Sequence, residues 1–138
     1  MNKFLSILLW VWQFPQNIIG FIIVALLGFT KHYQATVEGS FAYWAKSNIS
    51  WGVCLGDYIL LPDLPSVESK FHEYGHQKQS LMLGPLYLLV IGIYSAVFCN
   101  LWDRVFHKKW DSKRRSECYY NRWTEKWADK LGGVKRVY

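Results

Sequence analysis

The residues best suited to chemistry in this chain are two histidines and a glutamate in the stretch FHEYGHQ, residues 71–77. His72 and His76 are four positions apart, so on a helix both imidazoles lie on one face, one turn apart. In that arrangement each imidazole can give a nitrogen to one tetrahedral zinc ion. Glu73 leans toward the same ion, where it can take a proton from zinc-bound water. The H-E-x-x-H spacing therefore predicts a zinc site with Glu73 as its catalytic base.

The helix that must carry this motif is predicted over residues 66–83. Ser66 suits the N-cap, and Glu68 suits the first turn, where the helix dipole favours negative charge. Gly84 followed by Pro85 ends the helix in the order that a C-cap prefers. The alternative is an amphipathic helix with two surface histidines. The rarity of this motif in a chain with only four histidines favours the metal site.

A hydrolytic zinc site needs a third protein ligand and an open position. Among the acidic residues Glu125 is the best candidate, in the segment TEKWAD of a helix predicted over residues 112–131. Glu125 and Asp129 are four apart and share a helix face. The alternative is that both belong to the solvated face of an amphipathic helix.

H-E-x-x-H followed by a downstream E-x-x-A-D resembles the gluzincin metallopeptidases, in particular the membrane-embedded branch with the CaaX prenyl proteases and the HtpX-type proteases. The resemblance covers about residues 50–131. It implies that Glu125 is the third zinc ligand and that Asp129 orients a ligating histidine. It also implies an edge strand before the zinc helix, on which an extended peptide pairs. The residues in that place are Leu55, Gly56, Asp57 and Tyr58.

The chain departs from this family in two respects. Only one short hydrophobic block separates the two motifs, where the family usually has more membrane helices. The family's donor to the oxyanion has no clear match, and Tyr119, Tyr120 and His107 are candidates by residue type alone.

Two hydrophobic blocks and many aromatic residues indicate a membrane protein. The chain has 138 residues, consistent with a single domain over residues 1–138, and contains 8 Trp, 9 Tyr and 8 Phe. Residues 4–30 are predicted to be an N-terminal anchor, a short interfacial helix and then a spanning helix that starts near Pro15. A cleaved signal peptide is the rival interpretation, but no small-x-small cleavage site precedes a mature domain.

The second block, residues 85–102, lies between the two halves of the predicted metal site. A straight span would separate its ends by about 30 Å, yet His76 before it and Glu125 after it must reach one ion. The block is therefore predicted to be re-entrant, folding back near Gly92 or Ser95, or to be a buried core helix.

The remaining patterns complete the predicted fold. Residues 33–62 contain β-prone runs broken at Gly56 and predict a β-rich region that supplies the edge strand. The fold class is α+β: a mainly helical membrane protein with a small antiparallel sheet or hairpin before the zinc helix. The three cysteines form no C-x-x-C pair, which argues against a disulfide framework or a thiolate zinc site.

The net charge of +6 is concentrated after the second block. Lys31 and the basic residues of 104–115 flank the two blocks and predict an integral membrane protein whose metal site faces the cytoplasm. A nucleic-acid adaptor that uses the basic segment is a minor alternative, and no nucleic-acid partner is expected.

Together these features predict a membrane-associated zinc metallopeptidase. Its cofactor would be zinc, its substrate a peptide or protein, and its surroundings membrane lipid. The alternative function is that of a non-proteolytic zinc-binding membrane protein, such as an assembly or regulatory subunit.

Overall fold

The computed structural model describes residues 3–27, 30–32, 41–44, 51–62 and 64–137 and shows a mostly helical chain with one small sheet. The helices are α1 (Lys3–Trp12), α2 (Phe14–Leu27), α3 (Val67–Leu83), α4 (Leu88–Phe106), α5 (Ser112–Tyr120) and α6 (Trp123–Gly132). The strands are β1 (Thr30–His32), β2 (Phe41–Trp44), β3 (Val53–Leu55) and β4 (Tyr58–Leu61).

The sheet has the strand order β1-β2-β4-β3. β3 and β4 form an antiparallel hairpin directly before α3, which confirms the predicted hairpin. β1 is antiparallel to β2, but β2 and β4 are parallel, so the sheet as a whole is mixed. β3 runs opposite to β2, and the hairpin then reverses the chain once more. β4, which lies between β2 and β3, therefore has the same direction as β2. Residues 33–40 and 45–50 of the predicted β-rich region lie outside the described residues.

The hairpin packs against α3 through a small apolar core. Cys54, Ile59 and Leu61 are almost completely buried and contact Tyr74 of α3. Leu60, which faces the other side of the sheet, is fully buried as well. β4 is therefore covered on both faces. β3 lies at the edge of the sheet, next to the helix that carries the histidines.

α3 begins and ends as its sequence predicts and packs most extensively against α6. Ser66 is the N-cap, and its side chain accepts a hydrogen bond from the Ser69 N–H. A Cβ at Gly75 would overlap the carbonyl oxygen of Ala128, and one at Gly132 would overlap that of Phe71. Glycine at these two crossings lets the backbones approach closely and brings the histidine face of α3 onto the acidic face of α6.

α4 runs from Leu88 to Phe106 as one helix, without the fold-back predicted near Gly92 or Ser95, and it lies beside the predicted metal site, where Ser95 bonds Glu125. Only 11% of its apolar window is buried. The ligand geometry is satisfied because the segment after α4 comes back toward the middle of that helix. Arg115 of α5 contacts Asp103 near one end of α4, and Thr124 of α6 contacts Ser95 near the middle. α6 therefore meets α3 at mid-height of α4.

The helix predicted over residues 112–131 is broken in two. α5 ends with Asn121 as its C-cap, and Arg122, the N-cap of α6, is extended at φ −66° and ψ 145°. The break turns α6 so that Glu125 and Asp129 face α3. Tertiary packing has here overridden the helix propensity of a continuous segment.

α1 and α2 meet at 91°, and the bend is filled by buried amides rather than by apolar side chains. Gln16 Nε2 donates to Ser80 Oγ and to the Gly84 carbonyl, both at 2.9 Å, and Ser80 Oγ donates to Gln13 Oε1 at 2.7 Å. Asn17 Oδ1 accepts the Asp57 N–H at 2.8 Å. We call Gln13, Gln16, Asn17 and Ser80 the amide cluster. It ties the bend to the end of α3 and to the hairpin turn.

Among the described residues, α4 is the one helix that by itself is long and apolar enough to cross a membrane, with a mean hydropathy of 1.4. α1 and α2 meet the same criterion only together, as the bent pair. Along α4 large apolar side chains are exposed, among them Leu89, Ile93, Phe98 and Leu101.

Candidate metal centre

Three buried side chains from two helices converge on one point. His72 Nε2 and His76 Nε2 each lie 3.2 Å from the same oxygen, Glu125 Oε2. The ligand atoms of the three residues all lie within 4.8 Å of one another. The structure thus brings together the two residues of the first motif and the glutamate of the second, as the sequence predicts.

Two of the three separations between these atoms match those in a tetrahedral metal site. With ligand bonds of about 2.0–2.1 Å, two ligands of a tetrahedral ion lie roughly 3.3 Å apart. The observed nitrogen–oxygen separations are 3.2 Å. Two imidazoles with one carboxylate also form a donor set that zinc uses in hydrolytic sites.

The opposite atom of each candidate ligand is held by a neighbour. His72 Nδ1 lies 2.7 Å from Asp129 Oδ1, and His76 Nδ1 lies 2.7 Å from Gln79 Oε1. Glu125 Oε1 accepts hydrogen bonds from Ser95 Oγ and from Thr124 Oγ1. Such outer partners are the usual support of metal ligands, because they fix ring orientation and tautomer.

The hydrogen bonds also determine which nitrogen of His76 is free. Gln79 Nε2 donates to the Thr124 carbonyl at 2.9 Å, so Gln79 Oε1 is the atom that faces His76. An amide oxygen can only accept, so His76 Nδ1 carries the proton. The lone pair of the neutral ring is then on Nε2, which points at Glu125.

The charges around the site favour a divalent cation. Glu73, Glu125 and Asp129 are buried carboxylates, and Arg136 is the guanidinium paired with Asp129. With both imidazoles neutral, these four groups carry a formal charge of minus two. One divalent cation would balance that charge, which is otherwise costly to bury.

The pKa values describe the site without its cation. Burial lowers the pKa of His72, but hydrogen bonds to Asp129 and Glu125 outweigh burial and raise it to about 9. Burial opposes ionisation of Glu125, yet its hydrogen bonds with the two histidines hold its pKa well below the usual value. His72 is therefore an imidazolium at neutral pH in the metal-free chain, and its Nε2 proton faces Glu125, where a cation would bind.

Glu73 differs from the other acids of the site because it has an unsatisfied oxygen. The side chain is 6% exposed, and Oε2 has no hydrogen-bond partner within the described part of the chain. Burial raises the pKa of Glu73, and the neighbouring His76 and His72 partly offset this effect. A buried carboxylate with a free lone pair beside a cation site can act as a proton acceptor.

A cleft of about 610 Å³ leads from Glu73 and His72 to Asp103 and Arg115. A smaller inner cavity of about 160 Å³ reaches His76 and Glu125. Tyr119 lines both. The triad is therefore buried but reachable from solvent on the side where Glu73 lies.

The segment predicted to hold substrate is not an edge strand. Gly56 and Asp57 form the hairpin turn, with Gly56 at φ 65°, and they pack against Asn17 of α2. Gly56 and Asp57 form the turn at the break that the sequence predicts, and Tyr58 begins the inner strand β4, so these three residues do not form the edge strand that the resemblance implies. Leu55 lies at the end of β3 and lines the inner cavity.

The edge that does border the cleft is Trp51 to Cys54. A Cβ at Gly52 would lie 2.7 Å from Glu73 Oε1, so the backbone passes directly beside the base. The Cys54 carbonyl accepts a hydrogen bond from Tyr87 Oη at 3.0 Å and thus faces away from β4. Gly52, two residues earlier and just before β3, lines the cleft.

The three candidate oxyanion donors separate clearly. Tyr119 lines the cleft, and burial followed by the charge of Glu125 raises its pKa, so the hydroxyl keeps its proton. Tyr120 also lines the larger cleft but not the inner cavity, and its ring packs edge-on against His72, with ring centroids 5.2 Å apart. His107 stacks on Trp110 and bonds Asp103, and it does not line the cleft. Tyr119 has the best placement of the three.

Sequence reasoning missed four residues that support the ligands: Gln79, Ser95, Thr124 and Arg136. Gln79 carried a usable signal, because it follows His76 by three positions and so shares its helix face. Ser95 was considered only as a fold-back point, and Arg136 lies beyond both motifs. Their roles depend on contacts between distant segments, which spacing alone does not reveal.

Comparison of the chain with known protein families, with curated proteins and with solved structures finds no match. The resemblance to gluzincins therefore rests on the two short motifs. What the structure shows is a buried cluster of His72, His76 and Glu125 that could hold a metal ion.

Proposed function

We propose that this chain is a membrane-associated metallopeptidase that binds zinc through His72, His76 and Glu125 and hydrolyses peptide bonds with Glu73 as general base. The observation that carries the proposal is the position of Glu73. Its unpartnered, buried carboxylate oxygen lies beside three converging ligands and opens onto the cleft. A purely structural metal site has no use for such a group.

Zinc held by these residues would supply a Lewis acid that polarises a carbonyl and lowers the pKa of water to about 7. Glu73 then has one task, which is to accept a proton from the attacking water and pass it to the leaving amine. Its raised pKa suits this task, because a base works best when its pKa is near the working pH.

The other residues of the cleft would bind and orient the peptide. Gly52 lines the cleft, and its backbone N–H and carbonyl would bind an extended peptide substrate as an added strand. The Tyr119 hydroxyl, held protonated, would donate to the oxygen that becomes negative during attack. Asp129 and Gln79 would keep the imidazoles in place throughout.

We also propose that α2 and α4 lie in lipid with α1 along the interface. The exposed apolar side chains of α4 and the basic residues that follow it support this arrangement. The basic segment 104–115 would then lie at the cytoplasmic surface, on the side to which the cleft extends.

Membrane extraction tests this placement. Alkaline carbonate should leave the chain in the membrane pellet, whereas detergent should release it. Trypsin should cut the basic segment in sealed inside-out vesicles and spare it in right-side-out vesicles. Release by carbonate would remove the membrane proposal without touching the metal site.

The Glu73→Gln variant tests the enzymatic proposal. The amide keeps the size of the side chain but cannot accept the proton. We expect elemental analysis to find one zinc per chain in both wild type and variant. We expect hydrolysis of a library of fluorescence-quenched peptides in detergent to fall by about 10²–10⁴-fold.

Glu68→Gln is the matched control, because it is the same substitution at an exposed residue in the first turn of α3. It should leave both zinc content and hydrolysis unchanged. Equal peptide hydrolysis by Glu73→Gln and wild type would refute the role of Glu73. A wild type that holds zinc but cleaves no peptide would favour the non-proteolytic alternative.

A further inference from the structure

We infer that Arg136 is a positioning residue for the metal site: it holds Asp129 and Tyr120, two of the side chains that contact the ring of His72. This inference rests on the proposed zinc site. It adds to that site a residue that lies outside both motifs.

The first contact of Arg136 is a two-pronged ion pair. Its Nε donates to Asp129 Oδ2 at 2.6 Å, and its Nη2 donates to Asp129 Oδ1 at 2.9 Å. The same Oδ1 lies 2.7 Å from His72 Nδ1. Because a planar guanidinium matches both carboxylate oxygens at once, the pair fixes the rotation of the Asp129 carboxylate and not only its distance.

The second contact is with an aromatic ring. The guanidinium carbon lies 3.2 Å from the centroid of the Tyr120 ring, in a cation–π arrangement. Tyr120 in turn packs perpendicular to His72, at 88° between the ring planes. Arg136 thus bears on His72 by two routes, one through the carboxylate and one through the aromatic ring.

The backbone after α6 is built to bring Arg136 to this place. Gly133 adopts φ 74° and ends the helix, and the Val134 N–H then donates to the Asp129 carbonyl at 2.9 Å. The chain folds back so that Arg136 is half-buried, while its neighbours Lys135 and Val137 are exposed. The fold therefore buries part of the Arg136 side chain against its partners, in contrast to its exposed neighbours in the sequence.

The consequence concerns how tightly the site binds its cation. A free imidazole must lose rotational freedom when it coordinates, and a ring that is already held loses less. Removing Arg136 leaves Asp129 with an unpaired charge and frees Tyr120 to turn. His72 then binds the ion from a broader set of orientations, and the affinity drops.

The test compares zinc dissociation constants by competition with a chromophoric chelator in detergent. Arg136→Gln should weaken binding about tenfold, the lower end of the range for loss of an outer partner of a metal ligand. Arg136→Lys should fall between the two, because lysine keeps the charge but loses the fork and the stacking. Lys135→Gln, the exposed neighbour, should bind like wild type.

Each result decides the matter. If Arg136→Gln binds zinc within twofold of wild type, Arg136 does not position the site. If Arg136→Gln fails to fold, as judged by circular dichroism without metal, Arg136→Lys decides by the same criterion. A wild type that binds no zinc overturns the proposed function, whereas normal binding by wild type and variant alike overturns only the role of Arg136.

Discussion

Two buried polar clusters reach α3 one turn apart, at Ser80 and at His76, and they differ in charge. The amide cluster at the α1–α2 bend is neutral, and its amides hydrogen-bond to Ser80, to backbone carbonyls and to Asp57, whereas Gln16 Oε1 has no partner among the described residues. The charged cluster between α3 and the C-terminal segment comprises His72, His76, Glu125, Asp129 and Arg136. With Glu73 beside it, this cluster has a formal charge of minus two when its imidazoles are neutral.

The comparison teaches which buried polar groups call for a ligand. Neutral amides can satisfy each other, so their burial requires no further component. Buried like charges that lack enough counter-charge are unstable unless they take up protons or a cation. The charged cluster could therefore hold a metal ion, whereas the amide cluster connects the bend to α3 and to the hairpin turn.

The largest effect that tests this difference between the two clusters is expected for zinc binding by the Glu125→Gln variant. The change removes one unit of negative charge and the oxygen shared by both histidines. We expect a loss of zinc affinity larger than the roughly 10- to 100-fold that follows loss of an outer partner. Elemental analysis after gel filtration should find the variant nearly free of zinc. A variant that keeps stoichiometric zinc would show that Glu125 is no ligand.

A smaller effect of a different kind is expected from Gln16→Ala in the amide cluster. The variant loses hydrogen bonds to Ser80 and to the Gly84 carbonyl and leaves buried partners unpaired. We expect the free energy of unfolding to fall by about 1–3 kcal/mol, as measured by denaturant titration in detergent. Its zinc affinity should equal that of wild type.

The zinc affinity of the Gln16→Ala variant is the result that could contradict this comparison of the two clusters. Ser80 of the amide cluster follows His76 on the same helix, so the two clusters share a rigid element. If Gln16→Ala loses zinc as severely as Glu125→Gln does, the clusters form a single unit. The division between architecture and binding would then be wrong.

Local periodicity predicted the parts of the site that lie within single helices. Ser66 and Gly84 mark the ends of α3, and the four-residue spacings of His72 with His76 and of Glu125 with Asp129 place each pair on one face. The antiparallel hairpin followed from β-prone runs around Gly56. These features depend on neighbours a few residues away, which the sequence displays directly.

The relations between helices could not be predicted in the same way. α4 is continuous, and the segment after it returns through contacts such as Asp103–Arg115 and Ser95–Thr124, which no signal in the hydrophobic block predicts. The break at Asn121 and Arg122 has no glycine or proline to mark it. The parallel pairing of β2 with β4 likewise depends on where β4 inserts.

α3 and α6 approach each other closely at Gly75 and Gly132, so binding of a cation by the site would be coupled to the pairing of these two helices. Glycine inside a helix is about 1 kcal/mol less favourable than alanine, and α6 is shorter than the roughly 12–15 residues that an isolated helix needs in water. A peptide carrying FHEYGHQ alone would have neither stable helicity nor the distant carboxylate. Any ion that bridges His72, His76 and Glu125 therefore stabilises the assembled helix pair by its full differential affinity for that state.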